Sequence, residues 1–182
     1  MDWLVKRYTM VKGEVMNTIE KRYTAKEAMQ SIVKYLNDGT EQAIQTYTIR
    51  SVINSERKLL IRMLGHWLHK NRKRAFLLAE TEESVQRLKR HIESRYNGIR
   101  IVEIATWEEH GVSNDKLLNR INGAEADCII ASLPYELEER FTEQSRLSLH
   151  AKVWMGIGNK REWDSEKNFV EKMKIFLNKL QV

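Results

Sequence analysis

Few residues in this chain are placed for chemistry, and most of them fall between Asp127 and Gly158. That stretch holds an apolar run (Cys128-Ile129-Ile130-Ala131), a turn at Pro134, a charged amphipathic segment, and a second apolar run from Val153 into Gly156-Ile157-Gly158. The pattern predicts a strand, a crossover helix and a parallel strand. Glycines at the end of such a strand let backbone N–H groups approach an anion such as a phosphate closely. Ser132, closing the first run, would lie on the same sheet edge as Gly156 and Gly158. In open α/β folds that edge is where ligands sit.

Other candidates are thinner. Thr46 and Thr48 would offer hydroxyls at the same edge, although threonine on a strand also serves β-propensity. Glu138 and Glu139 are paired acids at a helix start, where the macrodipole favours them in any case. His110 stands in a loop beside Glu108 and Glu109, where an imidazole titrates near neutrality. Asp127 precedes a strand and is placed to cap backbone groups. His66 and His69 are three apart on a helix, but no carboxylate or cysteine stands at matching spacing, so no metal site is expected. The single cysteine, Cys128, falls in a buried strand and has no partner in the chain for a disulfide.

The 182 residues carry 42% hydrophobic and 31% charged side chains, which suits one globular domain with a sizeable core. No apolar run approaches the roughly 20 residues of a membrane-spanning helix. The start, MDWLVKRYTM, lacks the features of a signal peptide, so the expected location is cytoplasmic. The formal charge of +6 allows an anionic partner, with the densest basic clusters at 70–74 and 87–95. Acids interleave nearly everywhere, and neither zinc-finger spacing nor an aromatic–basic RNA-binding pattern is present. Nucleic acid is therefore not the expected partner.

The elements that must position these residues alternate. Residues 1–22 are expected to be a helical N-terminal segment, on the spacing of Leu4, Tyr8, Val11, Val15 and Ile19; Gly13 inside Met10–Met16 also admits a short hairpin. Thr24 to Glu27 forms a capping box before an apolar helical face, and Asn37-Asp38-Gly39 stops it. Strands are expected near 42–48, 74–79, 99–105, 127–132 and 152–157. Helices would start at Ser55, Thr81, Ser113 or Asn114, and Ser165. The prediction is a Rossmann-like α/β domain over 23–182, with about five mostly parallel strands and helices on both faces.

The order of short motifs resembles a family. Phe76-Leu77-Leu78-Ala79-Glu80, His110-Gly111, Ala126 to Ile130, Glu138-Glu139-Arg140-Phe141 and Gly156-Ile157-Gly158-Asn159 stand in the order of the motifs of the WecG/TagA/CpsF glycosyltransferases. Thr24 to Leu36 is similar to that family's first capped helix, and Gln45 to Thr48 to its Thr-Val-Asn strand end. The resemblance implies transfer of an N-acetylmannosamine-like sugar from a UDP donor to a polyprenyl-diphosphate-linked acceptor. It implies a role in cell-envelope polysaccharide or teichoic-acid-type synthesis, with no metal or cofactor. On this resemblance Thr46, Thr48, Glu80, His110, Ser132, Glu139, Gly156 and Gly158 are the candidate substrate-binding residues.

The chain also departs from that pattern. The family's Pro-Asp-Gly segment, whose aspartate is the candidate base, has no counterpart, and Pro134 is the only proline. Gly-Gly after the Phe-Leu-Leu strand is Ala79-Glu80, Gln-Glu is Glu138-Glu139, and the third glycine of the last loop is Asn159. Weak or absent transfer is therefore expected. The alternative is a binding or regulatory module for an active glycosyltransferase or another envelope protein, and a homo-oligomer is a further expectation. The amphipathic helix expected at 165–180 would dock on the sheet or on a second subunit. Its lysines make a peripheral contact at the inner membrane face the minority reading.

Overall fold

The computed structural model describes residues 5–11, 14–20, 23–37, 44–48, 52, 54–107 and 114–158. Strands β1 (Val5–Val11) and β2 (Glu14–Glu20) pair antiparallel, with Val11 against Glu14. The N-terminal helix expected from the four-residue spacing is thus replaced by a hairpin. β-branched Val5, Thr9, Val11, Val15, Thr18 and Ile19 favour extended backbone.

Five parallel strands follow, separated by helices. In chain order they are α1 (Ala25–Asn37), β3 (Gln45–Thr48), α2 (Arg57–Lys70), β4 (Arg74–Ala79), α3 (Glu82–Arg95), β5 (Arg100–Thr106), α4 (Asn114–Gly123), β6 (Cys128–Ser132), α5 (Tyr135–Ser145) and β7 (Val153–Gly156). The strands lie in the order β3-β7-β6-β4-β5, all parallel. The α/β Rossmann-like reading holds. The expected 165–180 helix lies outside the described residues.

Handedness sorts the helices onto two faces. The crossovers that move toward β5 carry α2 and α3, and those that move toward β3 carry α4 and α5. Right-handed connections put these two pairs on opposite sides. The core divides in the same way. Leu60, Leu64 and Leu68 of α2 and Val85, Leu88 and Ile92 of α3 pack with α1 on Leu77, Cys128, Ile130, Val153 and Met155. Leu117 and Ile121 of α4 and Phe141 of α5 pack on Phe76, Leu78, Ile129 and Trp154. Consecutive residues of β4, β6 and β7 go to opposite layers, as the two-residue repeat of a strand requires.

The caps were largely written in the sequence. Thr24 Oγ1 accepts from the Glu27 N–H at 3.2 Å, and the Glu27 carboxylate accepts the Thr24 N–H at 2.8 Å. Glu56 Oε2 takes the Ala25 N–H at 2.6 Å, so the residue before α2 also caps α1. The helix expected to start at Ser55 has Glu56 at its cap, without a side-chain hydrogen bond. Thr81 Oγ1 accepts from Ser84 N–H at 3.2 Å and caps α3. Asp127 does cap backbone: its Oδ2 accepts the Arg74 N–H at 2.9 Å, and its own N–H goes to Arg74 O at 2.9 Å.

On the α2–α3 layer, Tyr96 lies across Gly65, and a Cβ there would stand 2.5 Å from the ring. His66 meets the same ring edge-on at 5.5 Å between centroids, and His69 Nδ1 accepts the Gly98 N–H at 2.8 Å. The two histidines thus serve packing and a turn. At the sheet edge, β5 pairs with β4 through a bulge: Ala75 faces Ile101 and Phe76 faces Glu103, leaving Val102 unpaired. Arg120 of α4 donates to Ile104 O at 2.8 Å and pairs with Glu103. No helix among the described residues is long and apolar enough to cross a membrane.

Two outcomes are expected. Gly65→Ala forces the Tyr96 ring to move and should cost about 1–3 kcal/mol of unfolding free energy in urea titrations. Burial, with Asp127 nearby, pushes the Cys128 thiol up from an ordinary 9.0 to about 12. A raised acid favours the fold below the unfolded value and loses that support as pH rises toward the folded one. Stability should therefore fall between about pH 9 and pH 12, by up to ~1.4 kcal/mol per unit from this group. Cys128→Val should show a shallower alkaline decline than the parent.

Candidate functional site

The order of the sheet reverses between β4 and β6. From β4 the chain steps outward to β5, while from β6 it steps the other way to β7. Such a switch point opens a crevice beyond the carboxyl ends of the two strands. Ala79 pairs with Ser132 at its floor. Glu80, exposed, follows β4, and Leu133-Pro134 follows β6. The first turns of α3 and α5 therefore flank the crevice, one on each face.

Ser132 is buried, and its hydroxyl donates to Gly158 O at 2.8 Å. Ile157 N–H donates to Ala131 O at 2.8 Å, so the turn after β7 is tied back to β6. Gly158 has φ 71, a left-handed conformation that favours glycine. These two glycines therefore differ in role. Gly158 is required by backbone conformation, whereas Gly156 is required by space, because a Cβ on it would overlap the Glu138 carboxylate.

Glu138 is the residue that reading the sequence undervalued. It reaches from α5 over Gly156, is 2% exposed, and its Oε1 accepts the Trp154 indole N–H at 3.0 Å. Trp154 is itself fully buried and packs on Phe141, with ring centroids 5.5 Å apart. A buried carboxylate survives only with hydrogen-bonding partners, and the indole N–H is one that has no other use in an apolar layer. The signal lay in helical phase. Glu138, Phe141, Thr142 and Ser145 are the buried residues of α5, on one i, i+3, i+4, i+7 face. Glu139 is out of phase; it is exposed and accepts from the Tyr135 hydroxyl at 2.6 Å.

The remaining candidates are spread along the edge. Thr46, exposed, sits in register with Trp154 on edge strand β3, and Thr48 closes that strand opposite Gly156. Tyr47 between them points to the other layer, where its hydroxyl meets Ser31 at 2.8 Å and burial pushes its phenol up. Together β3, β7, β6 and β4 bring Thr46, Thr48, Gly156, Gly158, Ser132 and Glu80 to one edge of the sheet. Glu139 lies on the outer surface of α5, and His110 and Asn159 lie outside the described residues.

The charge at this edge has a common cause. The helices run antiparallel to the strands, so their positive N-terminal ends gather at the carboxyl edge of the sheet. Acids answer that dipole: Glu27 in α1, Glu82 and Glu83 in α3, Asp115 in α4, and Glu136 and Glu138 in α5. The N-termini of α1, α3, α4 and α5 are thus matched by carboxylates of the chain, whereas the first turn of α2 carries none.

The Glu138–Gly156 contact predicts coupling. Gly156→Ala should destabilise the protein by about 1–3 kcal/mol through overpacking, and Glu138→Ala by about 1–3 kcal/mol through loss of the Trp154 acceptor. The double variant should be more stable than the sum of the two losses by ~1 kcal/mol or more. Strict additivity in urea melts would mean that the carboxylate does not occupy the space over Gly156.

No curated protein matches the sequence. The family model described as "Glycosyl transferase WecG/TagA/CpsF family" matches residues 55–160, from the start of α2 to just past β7. That span holds four of the five parallel strands and the whole switch-point crevice, and on it the chain belongs to the WecG/TagA/CpsF family of glycosyltransferases.

Proposed function

We propose that this chain is a glycosyltransferase-like protein of bacterial envelope polysaccharide or teichoic-acid-type synthesis in which sugar transfer is weak or lost. Its donor class would be a UDP-N-acetylhexosamine and its acceptor a polyprenyl-diphosphate-linked sugar, as the family resemblance implies. The observation that carries this reading is the pair of carboxylates at the crevice. Glu80 stands exposed where β4 ends, and Glu138 covers Gly156, the glycine that would otherwise present open backbone. A phosphate brought to ~4 Å from a carboxylate meets a repulsion of about 1 kcal/mol in water-like surroundings and about 4 kcal/mol at a protein surface.

The second support is the missing base. General-base help contributes about 10² to 10⁴-fold to such a step, and no Pro-Asp-Gly stands between Thr48 and Arg57 to supply it. A site that holds a donor poorly and activates an acceptor poorly is better suited to binding than to turnover. The same feature favours the second reading, a regulatory module that partners an active glycosyltransferase or another envelope protein, in a cytoplasmic location.

Calorimetric titration with UDP and UDP-N-acetylmannosamine tests the donor half. Binding should be weak in the parent, and Glu80→Gly should tighten it several-fold. Turnover of UDP-N-acetylmannosamine with a lipid-diphosphate acceptor at an ordinary ~1–10³ s⁻¹ would overturn the proposal.

A further inference from the structure

Acids interleave with cations nearly everywhere in this chain, and α2 is the exception. From Arg57 to Lys70 it holds four lysines and arginines, two histidines and no carboxylate. Lys58, Arg62 and Lys70, with His66 among them, are exposed at four-residue spacing, so they form one stripe along the helix. Lys70 complements the C-terminal end of the helix dipole, but Lys58 opposes it at the N-terminal end. The neighbouring α3 shows how a solvated basic helix is otherwise balanced: Glu83 pairs with Arg87 at 2.9 Å and Glu93 with Lys89 at 3.8 Å. Beside α2, α1 adds exposed Lys26 and Lys34, and its one acid, Glu27, is used in the capping box. Glu56, before α2, is used on the Ala25 N–H. Among the described residues no carboxylate pairs with Lys26, Lys34, Lys58, Arg62 or Lys70.

An apolar strip runs between these cations. α2 lies between α1, which packs on β3 and β7, and α3, which packs on β4 and β5. On the α3 side, its Ile61 and Gly65 line a cleft with His91 and Tyr96. Leu59, Met63 and Trp67, again at four-residue spacing, fall on the other flank, toward α1. Leu59 is 43% exposed, while Met63, Trp67 and Val33 of α1 are half-buried against the core. The strip is thus recessed, with the exposed cations of α1 and α2 at its margins.

We infer that the α1–α2 face is a docking groove for an acidic amphipathic helix of a partner protein. The apolar side of that helix would lie on Leu59, Met63 and Trp67, with its carboxylates against the lysines and arginines at both margins. Lys58 to Lys70 spans ~18 Å, so about three turns of the incoming helix are engaged. Charge sign excludes occupants from this chain. A two-fold contact through the face would set its cations against themselves, and the segment 165–180 carries four lysines to two glutamates. The recess selects a helix over a flat or extended anion. A bilayer or a phosphodiester track would meet the exposed cations and leave the half-buried strip untouched, whereas a ridge of side chains enters a groove between helices. Trp67 is not open for base stacking either, because Lys73 Nζ stands 5.6 Å from its ring centroid. The groove gives the partner-binding reading a surface. Titration with UDP reads the crevice separately, so either can fail without the other.

Fluorescence anisotropy with the full chain tests this. The probe is a labelled synthetic peptide with leucines at i, i+3, i+4 and i+7 spacing and glutamates on its other side. The parent should bind it, and a peptide of the same composition with scattered leucines should bind about ten-fold more weakly, having lost its apolar side. Lys58→Glu combined with Arg62→Glu should lose roughly ten-fold or more in affinity. Leu59→Ser should weaken binding several-fold and leave its salt dependence unchanged. Arg140→Glu, on the exposed surface of α5, should bind as the parent does. The double variant should melt at or above the parent, since it relieves like-charge neighbours and places acid near the start of α2. The inference is overturned if the parent ignores the amphipathic peptide, if the scattered peptide binds equally well, or if the double variant keeps full affinity or melts well below the parent. It is equally overturned if phosphatidylglycerol vesicles or a single-stranded oligonucleotide bind the parent more tightly than the peptide does.

Discussion

All five strands of the main sheet point the same way, and the consequences of that one constraint run through the molecule. Parallel strands need a crossover between each pair, and right-handed crossovers fix which helix covers which face. Because every helix then returns against the strand direction, the N-terminal ends of the helices meet at one edge of the sheet and their C-terminal ends at the other. The electrostatics of the protein follow from this. Among the described residues, carboxylates in the first turns of α1, α3, α4 and α5 gather at the end where the fold opens its crevice.

At that crevice a buried polar contact takes the place of open backbone. The Glu138 carboxylate, the Trp154 indole and the side-chain-free Gly156 fit together as a unit within the α4–α5 layer. Each member explains the others: the indole N–H needs an acceptor, the carboxylate needs a donor, and neither could be accommodated over a residue with a Cβ.

Much of this was legible in the residues. The β-branched runs and capped helices placed all five parallel strands, and the Thr24 box and the Asp127 cap form as their side-chain chemistry requires. The N-terminal hairpin was misread because a spacing of about four residues with Gly13 in the middle serves a helix and a hairpin equally well, and two strands pair by contacts that periodicity does not contain. The site was half legible. Gly156 and Ser132 fall where the strand ends predicted, yet Glu138 was passed over in favour of its neighbour. A charged residue in a helix is ordinarily a surface residue, and only its phase with Phe141 and Thr142 marks it as interior. The topological switch between β4 and β6 was beyond reach, since strand order in a sheet is set by tertiary packing and leaves no periodic trace.

The edge strand β5 has a further consequence. It is seven residues long and rich in isoleucine and valine, and one of its sides has no strand beside it among the described residues. Such an edge is a template on which another chain can polymerise. Here the bulge at Val102 breaks the repeat that an incoming strand would have to copy, and Arg120 already occupies the Ile104 carbonyl. The opposite edge strand, β3, offers four residues. Among the described residues the five-stranded sheet therefore ends on both sides in a form that disfavours the addition of another strand.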